Sequence, residues 1–137
     1  MLFRSPADFE RFARPASRMV FDGLADLGVP RIHFGVGTGE LLGQMHAAGA
    51  DVVGVDWRIP LDVAWQRIGH DCSVQGNLDP TVLLSDPDVI RAEVGRLLNS
   101  VSGRPGHIFN LGHGIHKETP VENAIALVQA VKDLSQR

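Results

Sequence analysis

Apolar positions along the 137-residue chain alternate between two rhythms. Short runs at Ile32 to Val36, Val52 to Val55, Ser73 to Gly76 and His107 to Leu111 have the length and branching of strands. After each comes a segment whose apolar residues return every three or four positions, as they do on one face of a helix. These helices are expected at about Glu40 to Ala48, at Leu61 to Ile68, across a longer stretch whose face carries Val89, Ile90, Val94, Leu97 and Leu98, and from Val121 to about Leu134 with Ile125, Val128 and Val131 to one side. A further helix precedes the first strand and runs to about Leu27. Phe9, Phe12, Met19, Val20 and Leu24 mark its expected buried stripe, and Pro15, which has no N–H to donate, is expected to kink or divide it.

Polar punctuation supports the same divisions. Ser5, Pro6 and Asp8 spell a capped helix start, with proline at the first helical position and the acid at the third. Asp79 before Pro80 repeats the device, Ser85 is expected to cap the long helix with Pro87 and Asp88 in its first turn, and Thr119, Pro120 and Glu122 suggest a third capping box. The order is one helix followed by four strand–helix units, which predicts an α/β fold with parallel strands covered on both faces. Eight such units close a (β/α)8 TIM barrel, so residues 1–137 are expected to be a single partial domain, half of that barrel.

Composition narrows the chemistry. A formal net charge of −3, with no basic run, offers no general attraction to nucleic acid or to an anionic membrane. No apolar stretch approaches the ~20 residues that span a bilayer, and the MLFRSPADFE opening lacks a signal-peptide core. The single cysteine, Cys72, excludes an internal disulfide framework and suits a reducing, cytoplasmic setting. No paired ligand spacing indicates a metal site, although His33 with Asp56 or His113 is the set that would have to form one.

In a parallel sheet the loops leaving the carboxyl ends of the strands converge on the site. That rule points to Gly35 to Gly39, Asp56 to Ile59, Gly76 to Asp79 and Asn110 to Thr119, and it leaves Gly28, Gly49 and Gly103 on the opposite, structural side. The glycine turn admits two readings. Gly35, Gly37 and Gly39 either serve backbone geometry or wrap a nucleotide, with Asp56 at the next strand end binding ribose hydroxyls, as in a methyltransferase that uses S-adenosylmethionine. Asp56 could equally cap the short helix or pair with Arg58. His113 is the strongest single candidate, because Gly112 and Gly114 flank it just beyond the fourth strand, where a side chain can be aimed into a mouth. His33 and His107 fall within strands and suit core positions, whereas His116 and Lys117 belong to the solvated part of the loop.

FGVGTGELL, GADVVGVDW, QGNLDP and FNLGHGI, in this order, resemble the uroporphyrinogen decarboxylase family from about Ser5 to the end of the chain. GNLDP with NLGHGI is a specific pair that an S-adenosylmethionine methyltransferase does not predict. Related corrinoid methyltransferases bind zinc through a His-x-Cys motif and a late cysteine; here His33 is followed by Phe34 and Gly35, and the late position is His113.

The resemblance implies the C-terminal half of a TIM barrel that needs no cofactor and converts uroporphyrinogen III to coproporphyrinogen III in heme biosynthesis. His113 inherits the role of the family's NLGHG histidine, catalytic or substrate-binding, and Asp56 is a substrate contact by loop position alone. The family's arginine-rich loop, pyrrole-binding aspartate and substrate tyrosine come from the other half of the barrel, and this chain contains no tyrosine. Ser5 matches a helix cap rather than the family's substrate serine. The expected partners are therefore the tetrapyrrole substrate, a complementary N-terminal half and, as the family typically forms homodimers, a second copy. A non-catalytic scaffold is the remaining alternative.

Overall fold

The structure, a computed structural model, describes residues 5–135; Met1 to Arg4, part of the opening read above for a signal sequence, lie outside them. Ser5 accepts a hydrogen bond from the Asp8 N–H and donates its hydroxyl to the Asp8 carboxylate, starting helix α1 (Pro6–Asp8) as expected. The helix then widens into a π turn at Phe9–Ala13, in which the Arg14 N–H reaches Phe9 O, before α2 (Arg14–Gly23). Pro15 stands at this junction and supplies no N–H, so the division predicted from the sequence occurs there.

The expected buried stripe does not hold. Phe9 and Phe21 are buried, but Phe12, Met19, Val20 and Leu24 are exposed. Helical spacing identifies an apolar face without saying what covers it, and here the covered side is the one on which Phe21 packs with Ala48 and Ala50.

Four strands follow: β1 (Ile32–Phe34), β2 (Val52–Val55), β3 (Ser73–Leu78) and β4 (His107–Leu111). All are parallel, in the order β1-β2-β3-β4. They alternate with α3 (Leu42–Ala47), α4 (Leu61–Ile68), α5 (Pro87–Ser100) and α6 (Val121–Ser135), with a 3-10 turn at Pro80–Leu84. β1 stops two residues short of expectation because the chain leaves the sheet at Gly35. β3 runs two residues longer, so that Asn77 and Leu78, read as loop, are paired with Asn110 and Leu111.

Two helix starts also differ. Asp86, not Ser85, occupies the N-cap of α5, because Ser85 N–H closes the preceding 3-10 turn on Val82 O. Thr119 makes no cap for α6, since its Oγ1 is buried without a hydrogen-bond partner among the described residues. α6 is instead pinned by Asn123, whose Nδ2 donates to Leu83 O and Ser85 O, each at 2.9 Å.

The core lies between the sheet and its helices, where Leu42, Met45, Val53, Val55, Leu61, Trp65, Val74 and Leu78 are almost wholly enclosed. Trp65 Nε1 donates to Cys72 O at 2.8 Å, which satisfies the polar end of the largest buried ring. Ile90, Val94 and Ala130 join α5 to α6 in a second cluster, while Val89, Ile125 and Val128, assigned to buried faces by periodicity, are exposed.

The two outer strands, β1 and β4, are not covered on both faces, although β2 is buried along its whole length. Registered neighbours in a parallel sheet point the same way, and Phe34, Gly54, Gln75 and Ile108 form one such row opposite the helices. Phe34 and Ile108 are 47% and 42% exposed at the two ends of that row. Helices shield the outer face only; enclosing the inner face takes further strands beside β1 and β4.

Candidate active site

At the carboxyl end of the sheet, the loop from β2 into α4 acts as the hub. Asp56 is 2% exposed, and its carboxylate accepts from Gly37 N at 2.5 Å, Arg58 N at 3.1 Å and Arg58 Nη1 at 3.1 Å. Gly37, at φ +69°, adopts the left-handed conformation that presents this N–H. The glycine turn and the strand-end acid are thus bonded to each other. The nucleotide reading needed both to be open, and the pairing with Arg58 anticipated from sequence is the arrangement found.

From β3, Asn77 Nδ2 donates to Asp56 O at 2.6 Å and to Ile59 O at 2.8 Å, holding the hub from its other side. From β4, Gly112 N donates to Leu78 O at 2.7 Å. A Cβ built on Gly112 would lie 2.5 Å from Trp57 N and 3.0 Å from Asp56 C, so only glycine lets the β4 loop approach this closely.

That approach brings His113 over Trp57, with ring centroids 5.8 Å apart and planes at 87°. Arg58 lies on the same indole, its Cζ 3.9 Å from the ring centroid. His113 is exposed, makes no hydrogen bond or ion pair among the described residues, and borders a cavity of about 480 Å³ with Phe34, Gln75, Asn110 and Ile115. The mouth is therefore apolar along β1 and the β4 loop, with amides from β3 and β4 and one imidazole.

The other sequence candidates separate cleanly. His33 is half-buried, with Nδ1 3.2 Å from Met45 O and its ring against Phe21, so it fastens β1 to α3. His107 faces the helices with Nε2 3.4 Å from Gly76 O, and burial lowers its pKa. His116 is exposed beside Glu118. Cys72 is buried, which raises its thiol pKa. Among the described residues no three His, Cys, Asp or Glu side chains gather as metal ligands, and no helix is long and apolar enough to cross a membrane. Trp57 and Gln75 were not singled out from sequence. An aromatic next to a strand-end acid was the available signal for the first, and a polar residue in a strand's apolar alternation for the second.

Four parallel strands alternating with helices, with the loops at their carboxyl ends gathered on one side, make a partial α/β fold of TIM-barrel type. A solved methyltransferase from Methanosarcina mazei shares this fold, with a TM-score of 0.81 at 24% identity over 96% of this chain and 38% of its own. The family model described as uroporphyrinogen decarboxylase (URO-D) matches residues 3–134, and the chain belongs to that family. Uroporphyrinogen decarboxylases from Carboxydothermus hydrogenoformans and Salinispora tropica are each 56% identical to it, over 96% and 97% of this chain. One from Streptomyces coelicolor is 50% identical. The chain spans 37%, 36% and 38% of these three relatives, little more than a third of their length.

Proposed function

We propose that this chain supplies one half of a uroporphyrinogen decarboxylase barrel and that His113 is its contact with substrate. The observation that carries the reading is the place of the NLGHG imidazole, without a hydrogen bond among the described residues and at the edge of a cavity of about 480 Å³ on the carboxyl side of the sheet, in a chain 56% identical to named decarboxylases. The reaction is the removal of acetate carboxyls from uroporphyrinogen III to give coproporphyrinogen III. A proton added to a pyrrole carbon creates the electron sink, the C–C bond to the carboxylate breaks as carbon dioxide leaves and its electron pair passes to the ring, a second proton completes the methyl group, and the ring carbon gives up the first proton to restore the pyrrole. No cofactor enters that sequence. His113 holds a substrate carboxylate or delivers a proton, and Asp56, enclosed by Gly37 and Arg58, contributes by fixing the hub loop. A direct Asp56 contact with substrate would require Arg58 to swing away.

The partner of this half is a segment of complementary strands. β1 and β4 offer open parallel edges, and a groove of about 360 Å³ lined by Phe109, Leu127, Val128 and Val131 runs beside β4, where a neighbouring unit would pack. The assembled barrel then works in the cytoplasm as a homodimer, and the chain by itself turns over little or no uroporphyrinogen.

Complementation tests this. The chain is mixed or co-expressed with the portion of the Carboxydothermus hydrogenoformans relative that it does not match, and coproporphyrinogen formation is followed. Activity should require both pieces and fall sharply with His113→Ala. Restored activity indifferent to that substitution would remove His113 from the site, and full activity of the chain alone would remove the half-barrel reading.

A further inference from the structure

We infer that Trp57 is a positioning residue for His113, and that Arg58, anchored on Asp56, keeps the indole in place for that task. The inference rests on the proposed role of His113 and adds what aims it.

An exposed histidine between two glycines has little to orient it. Gly114 has nothing within 4 Å of the place where a Cβ would stand, so the backbone beyond His113 is open. The imidazole itself makes no hydrogen bond among the described residues, and its edge-type contact with the Trp57 ring, at 5.8 Å and 87°, is the one side-chain interaction seen for it there. Such a ring contact restricts the imidazole without consuming the hydrogen-bonding capacity of either nitrogen. Both nitrogens stay free for a carboxylate or a proton.

The indole is in turn held from several directions. Its backbone N lies against Gly112, the residue before His113, at a distance that excludes any side chain there. The Arg58 guanidinium lies 3.9 Å from the ring centroid and is tied to the buried Asp56 carboxylate at 3.1 Å. The Asp56 carboxylate is fixed by Gly37 N and its carbonyl by Asn77 Nδ2. The buried acid, the guanidinium, the indole and the imidazole therefore form a continuous stack from the loop core to the mouth. This gives the buried Asp56 carboxylate a purpose that direct substrate contact does not require.

Nuclear magnetic resonance of the 137-residue chain with labelled histidine reads the contact without turnover. The His113 ring resonances, identified by their loss in His113→Gln, should be displaced by the indole ring current, return to the positions of an unstructured histidine in Trp57→Leu, and be partly kept in Trp57→Phe. Arg58→Gln, which leaves the indole present, should reduce the displacement and serves if Trp57→Leu loses its dispersed amide spectrum. Resonances unmoved by Trp57→Leu, or by Arg58→Gln where that variant stands in, would overturn the inference.

In the complemented barrel, Trp57→Leu should lower kcat/KM by about 10- to 100-fold, as misplacement of a reacting group does, with recovery in Trp57→Phe. Turnover indifferent to His113→Ala, with the ring displacement still lost in Trp57→Leu, would sink the assignment of His113 and leave the positioning intact. Turnover abolished by His113→Ala but untouched by Trp57→Leu would do the reverse.

Discussion

Asn77 binds the loop beyond the neighbouring strand: its amide nitrogen lies 2.6 Å from the carbonyl oxygen of Asp56. The same nitrogen reaches Ile59 O at 2.8 Å, and Asn77 adopts φ +99°, a backbone conformation that few residues other than glycine accept. Asn77→Ala would strand two carbonyls in a site where the side chain is almost wholly enclosed. The expected loss is about 2–4 kcal/mol of stability by urea unfolding. Asn77→Asp, close in size but without the donor, should be at least as damaging. Wild-type stability in either variant would show that the two bonds do not support the loop.

The two glycines around His113 should respond in opposite ways to a methyl group. At Gly112 a Cβ would stand 2.5 Å from Trp57 N and 3.0 Å from Asp56 C, both backbone atoms that cannot step aside cheaply, whereas at Gly114 there is open space. Gly112→Ala should therefore destabilise the chain by about 1–3 kcal/mol, as overpacking does, and abolish most complemented activity. Gly114→Ala should leave stability within about 0.5 kcal/mol, the usual range for an open surface position. Comparable melting temperatures for the two variants would contradict this contrast.

Much of the framework was legible in the chain. The apolar runs gave β2 and β4 with their observed bounds, and the Leu61–Ile68 periodicity gave α4, because these elements are short, well punctuated and packed as their patterns suggest. Burial was less legible. Phe12, Met19, Val20, Ile125 and Val128 lie on apolar faces left exposed among the described residues, and periodicity cannot distinguish a face buried within a chain from one covered by a neighbour. His113 stood out as a candidate because glycines bracket it just past a strand, and it borders the cavity at the carboxyl end of the sheet. Trp57 escaped notice because its role arises from a loop-to-loop contact across two strands, which no local pattern encodes.

His107 makes stability depend on pH. Burial against the helices lowers its pKa below the ordinary 6.5, so the folded chain resists a proton that the unfolded chain accepts. Its contribution is complete above pH 6.5 and declines as the pH falls below that value and through the folded pKa. The urea midpoint should drop between pH 7.5 and 5.5, and the drop should be smaller in His107→Gln. An identical slope in wild type and variant would exclude His107 as its source.

The Arg31–Asp51 pair acts at lower pH. Hydrogen bonds from the Arg31 side chain and backbone hold the Asp51 carboxyl at about 2, below its ordinary 3.8. The stabilisation it adds is complete above pH 3.8 and fades as pH falls through about 2. Because Asp51 is half-exposed, salt should weaken the contribution. Asp51→Asn should narrow the difference in unfolding midpoint between pH 5 and pH 2.5, with less effect in high salt. A variant that tracks wild type across this range would show that the pair adds nothing.

The open face of the sheet should govern association. Ile32 and Phe34 on β1 and Ile108 on β4 are 44%, 47% and 42% exposed, on strands whose outer edges have no pairing partner among the described residues. Such edges recruit further strands, and a charge among their inward-facing residues is a natural way of preventing it. Ile108→Lys should therefore reduce self-association of the isolated chain in sedimentation, and also block reconstitution with the complementary half, since the ammonium would have to be buried unpaired in the closed barrel. Reconstitution at wild-type yield would place Ile108 outside the joint between the halves, and the barrel would then have to close along some surface other than the β4 edge.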